Sequence, residues 1–338
     1  NDIYIVNQNY DELFELASGG VDTIYTDLDW LLAPNFEHLD LVGGTDANAT
    51  GNNDSNVITG SSGNNILLGL AGGDTLIGGG GSDTLQGGAG NDVYYVGGSA
   101  TEAYGASLHA STDQITLREE VGGGEDTVYS WIDINLPLNF EKLVLLGSDL
   151  LDASGSTGGE YIIGNEEANR LEGGGGADTL EGLGGDDTYI ISDPNARIVE
   201  IASAGDDTVE ARIDFNLTTT DYVENITLAA SVPGSDANSL LLDLTAVGDD
   251  HNNVLTGNSG DNSIVGAGGN DTLIGLAGSD TLDGGSHNDS IVGGDGDDSL
   301  IGSSGADSLS GGNQNDFISA GADADHVDAG SGNDTVLG

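Results

Sequence analysis

An all-β chain, folded as a solenoid of short stacked strands, is what this sequence predicts. Three observations carry that expectation. Nineteen copies of a nine-residue pattern, Gly-Gly-x-Gly-x-Asp-x-(apolar)-x with tolerated substitutions, occupy 171 of the 338 residues. The apolar position keeps its nine-residue register through every block, and internal repetition of this kind decides architecture before any other signal. The residues between the blocks repeat too, starting anew at Asp2, Asp92 and Asp187.

Taken in order, residues 1–50 form a first inter-block segment, 51–95 a first block, 96–154 a second segment, 155–190 a second block, 191–247 a third segment and 248–338 a third block. The spacing predicts one continuous solenoid with wider coils in the segments. Within one copy, such as Gly78 to Gln86, six residues turn and three extend. Glycine supplies the positive φ that such a turn needs and lets carbonyl oxygens crowd around a point. The apolar residue then faces inward. Leu67, Leu76, Leu85 and Tyr94 build one core ladder, and Leu255, Ile264, Leu273 and their successors to Val327 and Val336 build another. In the segments, apolar residues at Ile3 to Val6, Leu13 to Leu16 and Leu39 to Leu41 predict further strands.

The aspartate at position six adds chemistry to this geometry. A hard divalent cation takes six to eight oxygen ligands, which loop carbonyls and carboxylates supply without sulfur or imidazole. On these residues the chain resembles the RTX family of secreted bacterial proteins. The resemblance implies a right-handed parallel β-roll or β-helix in which two nonapeptides make one coil. It also implies several calcium ions held between loops two repeats apart, and type I secretion. Carried over residue by residue, the aspartate position is Asp74, Asp83 and Asp92; Asp178 and Asp187; then Asp271, Asp280, Asp289, Asp298, Asp307, Asp316, Asp325 and Asp334. In the third block these make six stacked pairs, from Asp271 with Asp289 to Asp316 with Asp334. Each block opens with weaker residues at this position: Asn56 and Asn65, Glu160 and Asn169, Asn253 and Asn262. The leading coils are therefore expected to bind calcium weakly or to be held by amide hydrogen bonds. Bulkier residues at position four (Asp54, Glu167, His251, His287, Gln314, Asp323) put the geometry of their loops in question.

Charge points the same way. Against 58 acidic residues stand 5 basic ones, a formal net charge of −53, and no lysine or arginine follows Arg212. Such self-repulsion opposes a compact state, and short apolar strands do not offset backbone ordering of about 1–2 kcal/mol per residue. Metal binding then becomes folding free energy. Low calcium inside a cell and high calcium outside predict folding after export, so the expected location is extracellular or on a bacterial surface. The absence of cysteine suits metal rather than disulfides as the staple. Five scattered cations give no purchase on nucleic acid, and no stretch nears the ~18 apolar residues of a membrane span, so neither nucleic-acid binding nor membrane insertion is expected.

Individual residues mostly take structural readings. Trp30 and Trp131 are expected to fill wider coils. Glu37, Glu141 and Glu224 recur at equivalent places, which argues for structure over catalysis. His38, His109, His251, His287 and His326 share no ligand spacing, so zinc is not expected. No HExxH or GxSxG pattern occurs, and the chain is not expected to be an enzyme. Asn1 and Asp2 match positions five and six of a repeat, so the sequence reads as part of a longer solenoid. The leading expectation is a calcium-dependent structural or binding rod of a large secreted or cell-surface bacterial protein, such as an adhesin, surface layer or filament. Its partners would be calcium and, through strand edges, another copy end to end or a calcium-bridged surface. The alternative is a noncatalytic secretion and stabilisation module of an exoenzyme or toxin.

Overall fold

The structure, a computed structural model, describes residues 1–8, 11–17, 19–97, 115–201, 204–217, 222–230 and 242–338. His109 lies outside them. Among the described residues there is no α-helix, strands run from two to six residues, and neighbouring strands pair in parallel. The chain divides into two compact units: Asn1–Asn169 with Gly173–Glu181, and Arg170–Glu172 with Gly182–Gly338. Each is a β-solenoid in its own right.

In the first unit one sheet stacks Ile3–Val6, Thr23–Thr26, His38–Leu41, Val57–Thr59, Thr75–Ile77, Val93–Val96, Thr127–Ser130, Lys142–Leu145, Tyr161–Ile163 and Thr179–Glu181 in that order. A second stacks Trp30–Leu31, Ala49–Thr50, Ile66–Ala71, Thr84–Ala89 and Thr116–Arg118. In the second unit one sheet runs from Arg170–Glu172 through Thr188–Ile191, Thr208–Ala211, Asn225–Leu228, Val254–Thr256, Thr272–Ala277, Ser290–Asp295 and Ser308–Asn313 to His326–Ser331. Its companion runs from Phe215–Asn216 to Thr335–Leu337. Successive strands alternate between sheets, so one coil of the third block is two nonapeptides and residue partners stand eighteen apart, as in Leu273 with Ile291 and Ile291 with Leu309.

That register stacks the apolar position on itself. Leu67, Leu76, Leu85 and Tyr94, and Leu255 through Ile318 at every ninth residue, are buried. In the two final rungs Val327 is half-buried and Val336 is 47% exposed.

Three expectations need correcting. In seven of the third block's ten repeats the extended stretch is six residues, not three, since pairing resumes at positions two and three after skipping position one (Leu276 with Gly294, Ala277 with Asp295). The loops themselves stack in register, so their backbone groups continue the ladder. Leu13 to Leu16 is no strand; Phe14 and Leu16 are exposed, and Glu15 is drawn to the Tyr4 hydroxyl, 2.9 Å away. Trp131 does not fill a coil but lies on the outer face against Tyr95, which stacks on Tyr129 at 5.2 Å. Trp30 is half-buried in its short strand.

Candidate metal centre

Position six forms a column along each solenoid. The backbone N–H of one position-six residue donates to the aspartate Oδ1 one coil on, at 2.7 Å from Asp74 to Asp92 and from 2.8 to 3.1 Å through the six third-block pairs. Asp271–Asp289, Asp280–Asp298, Asp289–Asp307, Asp298–Asp316, Asp307–Asp325 and Asp316–Asp334 are thus all brought together. Asp83 accepts from Asn65 and Asp178 from Glu160 in the same way. Asp187 donates to Asp207 of the following segment. Asp325 and Asp334, in the last coil, are half-buried.

The other carboxylate oxygen faces inward. Oδ2 of Asp74, Asp92, Asp271, Asp280, Asp289, Asp298, Asp307 and Asp316 is buried with no hydrogen-bond partner. Each of these residues is at most 3% exposed. It points at the position-one glycine of its own loop: a methyl on Gly275 would meet Asp280 Oδ2 and lie 2.6 Å from the carbonyl oxygen of Gly293, one coil further. Only a residue without Cβ leaves this space for the two oxygens to share. Burial pushes the Asp74 carboxyl up to about 7, and Asp271, Asp280, Asp289 and Asp298 up to about 6, against the lowering effect of the donated backbone N–H. Buried, partnerless oxygens on stacked carboxylates are costly unless a cation or proton joins them. Carboxylate and carbonyl donors without nitrogen or sulfur fit a hard divalent ion.

The leading coils are closed differently. Asn253 Oδ1 accepts the Asp249 N–H at 2.9 Å while its Nδ2 donates to Glu224 O at 3.1 Å. Asn56 pairs likewise with Asn52 N–H and Phe36 O, and Asn65 with Ser61 N–H and Ala47 O. The amide group satisfies the carbonyls directly, as an uncharged substitute for a cation. Position-four substitutions split along the same line. His287, Gln314 and Asp323 hold φ of 83°, 80° and 84°, keeping the glycine-like loop despite a side chain. At Asp54, Glu167 and His251 the loop is instead closed by a position-two side chain, with Asn52, Asn165 and Asp249 accepting the position-four N–H.

Sequence reasoning missed residues of the segments that continue this column. Asp22, Asp126 and Asp207 continue the column, accepting from Asp2, Asp92 and Asp187 at 2.5, 2.7 and 2.8 Å. Their own N–H groups donate to Glu37, Glu141 and Glu224, which gives those glutamates the structural role expected. Beside them stand Glu15, Glu119 and Glu200, forming three groups whose carboxylate oxygens lie within 4.8 Å of one another: Asp2–Glu15–Asp22, Asp92–Glu119–Asp126 and Asp187–Glu200–Asp207. The available signal was the triplet Asp-Thr-apolar at Asp22, Asp126 and Asp207, identical to positions six to eight of a nonapeptide.

The profile of the RTX calcium-binding nonapeptide repeat matches the chain repeatedly, in overlapping windows over residues 42–100, 154–189 and 247–336, more than half of its length. Among curated proteins, an endo-1,3-1,4-beta-glycanase, ExsH, of Rhizobium meliloti (strain 1021) is 33% identical over 84 residues. That stretch is 25% of this chain and 15% of the glycanase.

Proposed function

The chain belongs to the RTX calcium-binding nonapeptide repeat family, and on that footing we propose that it is a calcium-folded structural or binding segment of a large secreted or cell-surface bacterial protein. Calcium ions sit between stacked loops of the third block, each drawing on the inward oxygens of two position-six aspartates and on loop carbonyls. One observation carries this reading: a column of buried carboxylates whose second oxygens have no partner, in a block of sequence with no lysine or arginine. Calcium supplies the positive charge that the chain withholds from itself.

Extracellular placement follows from the same dependence, because a solenoid that needs calcium stays loose where calcium is scarce. An adhesin, a surface layer or a filament would each use such a segment, and strand edges at a solenoid end offer a route to association between copies. The second reading, a noncatalytic module that aids secretion and stabilises an attached exoenzyme, is favoured by the local likeness to a glycanase. The sequence of the surrounding gene separates the two: a hydrolase domain supports the module, and many further repeats support the surface protein.

Calcium titration tests the core claim. Circular dichroism should show little ordered structure in chelator and a cooperative gain of β signal with calcium, and native mass spectrometry should count several bound ions. Structure unchanged after thorough chelation would sink it. Light scattering across a concentration series in calcium checks association; a constant monomer mass would remove that element.

A further inference from the structure

Asp92 ends the first nonapeptide block and Asp187 the second; Gly124 and Gly205 of the following segments still stack over Gly90 and Gly185, but the position-one glycine is missing from both sequences, where Val121 and Ala202 stand. What stands there instead is a glutamate. We propose that each of these two blocks is closed by a calcium site of a second kind, made by two stacked aspartates and one glutamate of the following segment: Asp92, Glu119 and Asp126 in the first unit, with Asp187, Glu200 and Asp207 repeating the arrangement in the second.

Three observations converge on the first of these. The three carboxylates bring ligand oxygens within 4.8 Å of one another. Oδ2 of both Asp92 and Asp126 is buried without a hydrogen-bond partner, and both residues are wholly enclosed, so two full acceptors are aimed into the space. The core position, leucine in most coils, is Tyr94, whose hydroxyl donates to Glu119 and accepts from the Gly87 N–H at 2.6 Å. Tyrosine thereby fixes the glutamate at the point where an ordinary coil presents a glycine carbonyl. At the second block, a methyl on Gly182 would meet Asp187 Oδ2 and the Tyr189 hydroxyl and lie 2.7 Å from Glu200 Oε1. Glycine is required there by oxygens that crowd the same space, as at Gly275.

The charge argument sharpens the choice of ligand. An ordinary pair offers two carboxylates and neutral carbonyls; this site offers three carboxylates. More ligand charge raises affinity for a hard divalent cation. A carboxylate from the segment also ties that segment to the block, so the ion would order the residues that follow it. The inference rests on the calcium reading of the nonapeptides only for the identity of the ion.

Terbium luminescence tests it, because the tyrosine braces the ligand and the third block contains neither tyrosine nor tryptophan. Terbium added to the full chain should emit when tyrosine is excited, and excess calcium should quench that emission. The double variant Glu119→Gln and Glu200→Gln should lose a large part of the emission, the remainder coming from Tyr4 beside Asp2, Glu15 and Asp22, and bind two fewer calcium ions by native mass spectrometry, with the calcium-induced β signal retained. The double variant Tyr94→Phe and Tyr189→Phe should lose the same share of the emission while binding the full number of ions. Unchanged emission and ion count in the glutamine variant overturn the inference, and with calcium-induced folding intact they leave the nonapeptide reading standing. Emission undiminished in the phenylalanine variant also overturns it, even if the glutamine variant fails to fold. If the unaltered chain gains no structure with calcium, the reading under the previous heading falls first and this one with it.

Discussion

Asp289 shows what a single position-six residue does. Its Oδ1 accepts the Asp271 N–H at 2.8 Å, its own N–H donates to Asp307 at 2.9 Å, and its Oδ2 is left for a cation. It therefore belongs to two stacked pairs. Asp289→Asn keeps an acceptor for the Asp271 N–H but removes a ligand charge from both, so the calcium midpoint for folding should rise by about tenfold or more. Asp289→Ala does the same and also strands a buried N–H, a further cost of about 1–3 kcal/mol. Calcium titrations followed by circular dichroism should rank the chains wild type, then asparagine, then alanine. Equal midpoints for asparagine and wild type would deny the side chain any ligating role. Asn56→Ala, by contrast, breaks an amide closure and should leave the ion count unchanged.

Between residue and fold lies the coil, and here the two kinds of closure predict opposite responses to charge. In Asn253→Asp the second oxygen would replace an N–H donor facing Glu224 O. Acceptor would oppose acceptor, at about 1–3 kcal/mol for the lost buried bond. The variant should need more calcium to fold and should not fold more readily at limiting calcium; a lowered midpoint would show that the amide contributes nothing. The same contrast explains what the sequence reveals of the molecule. The stacked coils of the blocks are legible because Leu273, Ile291 and Leu309 recur at a fixed interval and the glycine turns leave one way to bury them. The column's continuation is hidden because its spacing breaks: Asp92 to Asp126 is 34 residues and Asp187 to Asp207 is 20. The strand that follows still returns to the stack, Val93–Val96 pairing with Thr127–Ser130, so periodicity fails where stacking persists. Glu119 and Glu200 are still less legible, since their role depends on Tyr94 and Tyr189 reaching them across the interior.

Across the whole chain the question is how 58 acidic side chains fold with 5 basic ones. Protons and calcium compete for the same inward oxygens, which fixes the sign of the pH response. The carboxyls of Asp271, Asp280, Asp289 and Asp298 rise from 3.8 to about 6 on burial, and those of Asp74, Asp126 and Asp207 to about 7. A carboxyl raised in the folded state favours folding most below its ordinary value, and that contribution is lost as pH rises through the folded value. Without metal, the solenoid is therefore disfavoured at pH 7 and above and becomes progressively less so as pH falls from about 7 towards 4. With metal the direction reverses. Protonation removes the ligand charge, so wherever acid alone has already formed the buried carboxyls, calcium must displace their protons and proton release should accompany binding. Circular dichroism in chelator should show β signal growing on acidification. Calorimetry in two buffers of different ionisation enthalpy, at a pH where acid alone has raised the β signal, should show protons expelled as calcium binds. Binding without proton release at that pH would mean that the buried carboxylates are already fully charged, and the partnerless oxygens would then need another cation to explain them.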